Sequence, residues 1–454
     1  MTTLHFSHAL LPDGWAADVA ITVDPMGTIS AVASGVPAGD AAHHRAVAVP
    51  GMPNLHSHAF QRGMAGLAER RSVGEANFWG WRDVMYRFLS ALDPDDVAAI
   101  AAQAYVEMVE SGFTAVAEFH YLHHAPDGTP YADPAEMASA IGRAAAESGI
   151  GLTHLPVFYA YGRFGGGPIG DGQRRFVNDP DRFARLLDAS RGALAGLPDA
   201  VVGIAPHSIR AVTAETLRGV VAAAGDVPVH IHVAEQQKEV DDCFAWSGRR
   251  PVDWLLDEAP VDGRWCLVHA THVTAGEVTR IARSGGVVGL CPITEGNLGD
   301  GLFPVPSFLD QGGHFGIGSD SNVRIDAAEE LRLLEYGQRL RDEKRNVIAG
   351  PPGHSTGRVL WDRSLAGGTA VHGRAIGALA PGMRADIVAL DPDHPALVGR
   401  TDDHWLDGWI FAGDGRAVAD VWVGGRHVVK EGRHVARDAA RSRFARTIAK
   451  LAAA

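Results

Sequence analysis

Apolar and polar positions in the central part of the chain alternate between short apolar runs and longer amphipathic stretches. Buried parallel strands are typically short apolar runs, and crossover helices show a longer pattern with a period of 3.6 residues. The first run ends at His58, and the others occupy residues 113–118, 151–157, 201–205, 228–233, 265–269, 287–291 and 315–318. Helices are predicted between them, for example over residues 93–111 and 134–148. Eight strand–helix units predict an α/β fold of the (β/α)8 TIM-barrel type.

The two ends of the chain show a different pattern. Short strand-like pieces at residues 20–23 and 29–32, and again at 385–391, 418–423 and 424–429, are separated by turn residues. We therefore expect a small β-sandwich domain built from both termini. The expected domains are residues 1–52 for its first part, 53–374 for the metal-dependent barrel, and 375–454 for its second part with a C-terminal helix.

Composition narrows the range of partners and compartments. The chain has 454 residues, of which 46% are hydrophobic and 21% charged, as is typical of globular proteins. A net charge of −13 argues against nucleic acid or an anionic membrane as a partner. The absence of a signal-peptide pattern and of long apolar runs predicts a cytoplasmic protein, and the three cysteines are expected to be reduced. A long helix over 329–345 could supply the face of a homodimer.

Histidines at predicted strand ends are the strongest chemical signal. His56 and His58 are spaced i, i+2 after the first strand, so their side chains point the same way. His232 ends the fifth strand and Asp320 follows the eighth. Because the C-terminal strand ends of a barrel build its active site, these four groups are expected to meet. Three imidazoles and one carboxylate suit one divalent ion, zinc or alternatively iron, with a position left for water.

Two more polar side chains follow these strands: His269 ends the sixth, and Glu235 lies three residues after His232. A divalent ion lowers the pKa of water from about 15.7 towards about 7, and Asp320 is then expected to accept its proton. His269 is expected to hydrogen-bond to the developing oxyanion, and Glu235 to bring a proton to a departing nitrogen. The pattern predicts hydrolysis at a trigonal carbon. Further histidines near strand ends are expected to support the ligands rather than bind the ion: His120, His123, His124 and His272.

These positions resemble the amidohydrolase superfamily, whose pattern is His-X-His after strand one, His after strands five and six, and Asp after strand eight. Residues 377–388 also resemble the segment by which many members return to their small β domain. Dinuclear members use a lysine after strand four, whereas residues 206–210 here read Pro-His-Ser-Ile-Arg. With Glu235 present as well, the chain is similar to the mononuclear deaminase branch, which implies one metal ion.

A closer resemblance is to the formimidoylglutamate deiminase family. It extends over residues 54–66, 78–82, 117–121, 232–240 and 294–301. The resemblance implies hydrolysis of N-formimino-L-glutamate to N-formyl-L-glutamate and ammonia, a step of histidine degradation. For a dicarboxylate substrate, Arg82 and Arg210 lie just beyond strand ends one and four, where guanidinium groups could bind carboxylates in a bidentate manner. Gln61, Tyr121 and His207 are expected to be further substrate contacts.

Two alternatives remain open. The first is a deaminase of an aromatic heterocycle such as guanine or cytosine, which would favour aromatic stacking and amide contacts over arginines. The second is a non-catalytic barrel scaffold, which would be free to lose ligands and proton carriers. All six positions of this chain hold competent side chains, and this favours an enzyme.

Overall fold

The computed structural model describes residues 1–69 and 78–453, and its strands and helices alternate through the middle of the chain. The strands are β1 (Thr2–Leu11), β2 (Gly14–Val23), β3 (Ile29–Ala33), β4 (Ala42–Pro50), β5 (Met52–Ser57), β6 (Phe113–His120), β7 (Gly151–Phe158), β8 (Val201–Val202), β9 (Ala205–Pro206), β10 (Val229–Val233), β11 (Trp265–His269), β12 (Val287–Leu290), β13 (His314–Ile317), β14 (Ile387–Leu390), β15 (Val418–Val423), β16 (Arg426–Lys430) and β17 (Arg433–His434). The helices are α1 (Phe78–Leu89), α2 (Pro94–Glu110), α3 (Glu136–Ser148), α4 (Pro180–Leu194), α5 (Ala214–Ala224), α6 (Gln237–Ser247), α7 (Pro251–Glu258), α8 (Ala275–Ser284), α9 (Pro292–Leu298), α10 (Val305–Leu309), α11 (Ala327–Asp342), α12 (Thr356–His372), α13 (Asp403–Ala412) and α14 (Arg437–Ala452).

Two parallel sheets form the central part of this α/β fold. One has the order β5-β6-β7-β8, with β9 also paired to β7, and the other has the order β10-β11-β12-β13. Parallel bridges connect them on both sides, because Ser57 pairs with Asp320 and Ser208 pairs with His232. The C-terminal ends of parallel strands lie at one edge of a sheet, so the residues that follow β5, β10, β11 and β13 come close together.

The predicted strands of the central region agree closely with the observed ones, and β11 has exactly the predicted bounds. The predicted strand 201–205 is instead two short strands, β8 and β9. The chain between them passes close to its neighbour, since a Cβ at Gly203 would lie 2.6 Å from the carbonyl oxygen of Pro228. Helix α2 begins as predicted, because the Asp93 side chain accepts a hydrogen bond from the Asp96 N–H and forms a capping box.

Strands from both termini share one sheet of eight strands, with the order β17-β16-β15-β14-β4-β1-β2-β3. The chain passes from this sheet into the first central strand at Gly51, which lies between β4 and β5. Only glycine fits there, because a Cβ would lie 2.2 Å from the Thr114 side chain. This close approach holds the start of β5 against β6, with which it pairs.

Apolar side chains form one large core that includes part of the terminal sheet, and a smaller core on that sheet alone. The largest cluster joins the central strands to their helices, and a smaller one lies on the terminal sheet around Phe6 and Trp422. Cys243, Cys266 and Cys291 are buried and free. Within the described residues, no helix is both long enough and apolar enough to span a bilayer.

Candidate metal centre and active site

Four predicted ligands lie together at the strand ends. His56 and His58 end β5, His232 lies in β10, and Asp320 follows β13. Each residue offers one ligand atom, these four atoms lie within 4.8 Å of one another, and all four residues are buried. The separation between His56 Nε2 and His232 Nε2 is 3.1 Å. Asp320 Oδ1 lies 3.3 Å from His56 Nε2 and 3.4 Å from His58 Nε2.

Hydrogen bonds on the outer side of the rings fix two of the imidazoles. His58 Nδ1 lies 2.8 Å from the carbonyl oxygen of Phe119, and His232 Nδ1 lies 3.0 Å from that of His207. A carbonyl oxygen only accepts, so each Nδ1 carries the proton and each neutral ring directs the lone pair of Nε2 towards the centre. Two imidazole lone pairs and a carboxylate that converge in this way fit a cation.

Burial also keeps the ligands in the protonation states that metal binding needs. Burial lowers the pKa of His56 to about 3 and lowers the pKa values of His58 and His232 as well. For Asp320, burial opposes ionisation, but hydrogen bonding to His56 and the charge of His269 lower its pKa overall. Neutral imidazoles and an ionised carboxylate are the forms that coordinate divalent ions.

Two proton-carrying groups lie next to this centre. His269 Nε2 is 3.7 Å from Asp320 Oδ2, and Glu235 lines the same pocket. Burial raises the pKa of Glu235 to about 7, with His269 opposing and Asp320 adding to the rise. Burial alone would lower the pKa of His269, but Glu235 and a hydrogen bond to Glu295 raise it to about 10. A carboxyl group that titrates near neutral pH is suited to proton transfer.

The backbone at these strand ends adopts an unusual conformation. Ala234, His269, Ala270 and Asp320 have φ values of 53°, 67°, 48° and 44°, in the left-handed region that few non-glycine residues occupy. Such conformations cost on the order of 1–3 kcal/mol each and cluster at functional sites. The strain at these positions directs side chains from β10, β11 and β13 into one pocket.

A single pocket connects the metal centre to the predicted substrate contacts. It is lined by His58, Gln61, Arg82, Tyr121, His207, Arg210, His232, Glu235, His269 and Asp320. His56 lies deeper and is fully buried. The structure therefore brings together the residues that sequence reasoning selected.

Polar side chains on one wall of the pocket are already ordered. Gln61 Nε2 donates to the Tyr121 hydroxyl at 2.8 Å, and that hydroxyl lies 3.1 Å from Met85 Sδ. Gln61 Oε1 is buried without a hydrogen-bond partner among the described residues. A buried acceptor without a donor costs free energy, so a substrate N–H group would be favoured here.

Two arginines lie in the same pocket. The guanidinium of Arg82 lies over the ring of Tyr86, 5.5 Å from its centroid. Burial alone would lower the pKa of Arg210, but Glu239, Tyr159 and Glu235 outweigh it and raise that pKa. Both groups are therefore charged and can bind carboxylates.

Sequence reasoning missed several lining residues. Tyr86 lies four positions after Arg82 on α1, and Tyr159 directly follows β7, so helical spacing and strand position could have identified them. Phe176 lies outside any strand or helix and had no such signal. The remaining unpredicted lining residues are Trp81, Met85 and Leu298.

Comparison with known proteins agrees with this geometry. The amidohydrolase family model matches residues 47–428, and the chain belongs to this family. It is 50% identical over 452 residues to the formimidoylglutamate deiminase of Pseudomonas aeruginosa, covering 99% of this chain and 100% of that protein. It is 28% identical to a 5-methylthioadenosine/S-adenosylhomocysteine deaminase of Haloarcula marismortui, over 78% of this chain and 75% of that one.

Solved structures show the same fold. An amidohydrolase from Brucella melitensis superimposes with a TM-score of 0.95 at 51% identity, and each chain covers 100% of the other. An adenosine deaminase from Xanthomonas campestris with bound zinc superimposes with a TM-score of 0.82 at 20% identity, over 100% of this chain and 99% of that one.

Proposed function

We propose that this chain is a metal-dependent hydrolase that converts N-formimino-L-glutamate and water to N-formyl-L-glutamate and ammonia, as a step of histidine degradation. One observation carries the proposal: the pocket that Arg82 and Arg210 line is also lined by His58, His232 and Asp320, three of the four groups of the candidate metal centre. The identity of 50% to a formimidoylglutamate deiminase over nearly the whole chain supports the same substrate.

His56, His58, His232 and Asp320 would hold one divalent ion. Zinc is proposed, with iron as the alternative, because histidine nitrogens and a carboxylate oxygen are ligands that zinc commonly takes. When bound, the ion supplies a nucleophilic water at neutral pH and polarises the group under attack. One oxygen of the Asp320 carboxylate lies beside the ligand nitrogen of His56, and the other lies beside His269 Nε2. The carboxylate can therefore accept the proton of the attacking water.

The other groups complete the reaction. The water oxygen bonds to the formimino carbon, while the proton it loses moves to the Asp320 carboxylate. His269 donates a hydrogen bond to the negative charge that develops on the attacking oxygen. Glu235, half-protonated near pH 7, gives a proton to the departing nitrogen. The same nitrogen then takes the second proton from Asp320, the carbon–nitrogen bond breaks and ammonia leaves, while the hydroxyl proton of the adduct returns to Glu235 as the carbonyl of the formyl group forms.

Substrate carboxylates would bind at the other end of the pocket. Arg82 and Arg210 offer planar, permanently charged donors for bidentate contacts. Gln61, Tyr121 and His207 would hold the part of the substrate between the carboxylates and the reacting carbon. Gln61 Oε1, which is buried without a partner in the described structure, suits a substrate N–H group.

The closed barrel and the β-sandwich domain are also part of this proposal. The bridges on both sides of the parallel sheets support a closed (β/α)8 barrel over residues 53–374. Residues 1–52 and 375–454 would form the second domain. Side chains from N-terminal and C-terminal strands of this sheet, such as Phe6 and Trp422, share one core, and this supports a β-sandwich.

The remaining expectations concern partners and location. A homodimer is proposed through α11, where 82% of Leu340 is exposed; light scattering on the purified protein would test it. Cytoplasmic location and the lack of nucleic-acid binding stay predictions, and the net charge of −13 supports the latter.

An ammonia-release assay tests the proposal. Zinc-loaded protein should release ammonia from N-formimino-L-glutamate and should be inactive on guanine and cytosine, because two arginines favour a dicarboxylate over a neutral ring. Activity on the rings alone would identify the alternative deaminase. If a folded, zinc-loaded protein releases ammonia from none of the three substrates, the hypothesis of a non-catalytic scaffold would be favoured.

A further inference from the structure

Glu295 is a buried carboxylate in direct contact with His269, and the reaction described above gives it no role. It lies on α9, after β12, and 6% of it is exposed. Its Oε1 atom lies 3.2 Å from His269 Nδ1. The same oxygen accepts the backbone N–H of Cys291 at 2.9 Å.

These two contacts determine how His269 is oriented. The Cys291 N–H can only donate, so Oε1 is held as an acceptor beside the imidazole. His269 Nδ1 must then carry a proton, which leaves Nε2 directed towards Asp320 Oδ2 at 3.7 Å. A carboxylate on the outer nitrogen of a histidine fixes both the tautomer and the ring orientation.

We propose that Glu295 is a positioning residue that holds the His269 ring with Nδ1–H towards α9 and Nε2 towards the reacting carbon. The inference rests on the proposed function, because His269 matters only if its Nε2 faces the substrate. Without Glu295, the ring could rotate or change tautomer, and a smaller fraction of molecules would present Nε2 correctly.

The neighbouring Glu330 provides a matched control. It is fully buried, and its Oε2 accepts the backbone N–H of Ile293 at 2.9 Å. It therefore supports the same segment of chain as Glu295 but makes no hydrogen bond to His269. A loss of activity caused only by loosening this segment would appear in both variants.

Kinetics of four variants test the proposal. Glu295→Leu should lower kcat by about 10–100-fold with KM nearly unchanged, because the arginines that bind the carboxylates are untouched. Glu295→Asp, which withdraws the carboxylate by one methylene, should behave similarly. Glu295→Gln should recover most of kcat, since the Cys291 N–H selects the amide oxygen for the position of Oε1. Glu330→Leu, which removes the acceptor of the Ile293 N–H as Glu295→Leu removes that of Cys291, should keep a kcat near that of the wild type, and zinc content should be equal in all four.

Proton NMR gives a readout that is independent of activity. A far-downfield resonance from the His269 Nδ1 proton should be present in the wild type and in Glu330→Leu, and absent from Glu295→Leu and His269→Asn. Wild-type kcat in Glu295→Leu, or a wild-type spectrum without this resonance, would overturn the proposal. If the wild type releases no ammonia, the proposed function fails, and the NMR result still decides whether Glu295 orients His269.

Discussion

The backbones of His58 and Asp320 are hydrogen-bonded directly, with the His58 N–H donating to the Asp320 carbonyl oxygen at 2.9 Å. The Asp320 N–H in turn donates to the His56 carbonyl oxygen at 3.0 Å. The first and last central strands therefore fix three of the four ligands relative to one another through main-chain contacts. This arrangement does not depend on a metal ion, and two predictions depend on it.

Replacing Asp320 with Asn should abolish turnover while leaving the fold intact. The backbone contacts remain, but the side chain loses its charge and cannot accept a proton from water. We expect kcat to fall by about 10²–10⁴-fold, the usual range for loss of a general base. Ammonia release and circular dichroism check the two parts. Asp310→Asn, the same substitution at an exposed residue that follows α10, should keep the wild-type activity and serves as the control.

Removing the metal should stop the reaction without unfolding the protein. Ligands held by the backbone keep their arrangement, so the metal-free protein should retain its circular dichroism spectrum and regain activity with zinc. Zinc at a thousandfold excess over its dissociation constant should stabilise the fold by about 4 kcal/mol, measured as a higher Tm. Undiminished ammonia release from protein shown to be free of divalent metal would contradict the proposed function.

Much of the central fold could be predicted because its strands are short apolar runs between helices with clear ends. Strand β11 and the capped start of α2 are examples. Strand β1 could not be predicted, because polar residues such as His5 interrupt its apolar pattern. His5 is nevertheless 2% exposed, since its ring nitrogens contact the His43 ring and the Val36 carbonyl oxygen at 2.8 Å. Such partners come from tertiary pairing and are not visible in local sequence.

The site also contains some residues that could be predicted from the sequence and others that could not. His56, His232 and Asp320 could be predicted because a residue type that binds metal occurs exactly where a strand ends. Glu295 lies in a short helix, and its importance comes from one contact with His269. Phe176 reaches the pocket from an irregular segment. Neither position follows from periodicity, because the packing of a short helix and of an irregular segment decides where these two side chains point.

Arg82→Met and Arg210→Met should mainly weaken substrate binding. A hydrogen-bonded charged pair contributes about 1.5–3 kcal/mol, so KM should rise by roughly 10- to 150-fold. Steady-state kinetics on N-formimino-L-glutamate would measure this, with kcat expected to change far less. Arg185→Met, an exposed residue of α4 outside this pocket, is the matched control. If neither variant changes KM, the arginines do not bind the carboxylates.

The raised pKa of Glu235 should make the stability of the metal-free protein depend on pH. Burial raises this pKa from 4.5 to about 7, so the folded state holds the proton more tightly than the unfolded state does. The stabilisation is fully present below pH 4.5 and is lost as pH rises through about 7. The full loss corresponds to roughly 3 kcal/mol.

Glu235→Gln isolates this contribution because an amide does not titrate. Urea unfolding of both proteins between pH 4.5 and 8.5 should show the wild type losing stability relative to the variant across this range, since deprotonation leaves a buried charge beside Asp320. Glu215→Gln, an exposed residue of α5, removes the same formal charge and should follow the wild-type curve. A constant difference between wild type and Glu235→Gln across the range would mean that Glu235 does not titrate near neutrality, and its proposed part in proton transfer would then lack support.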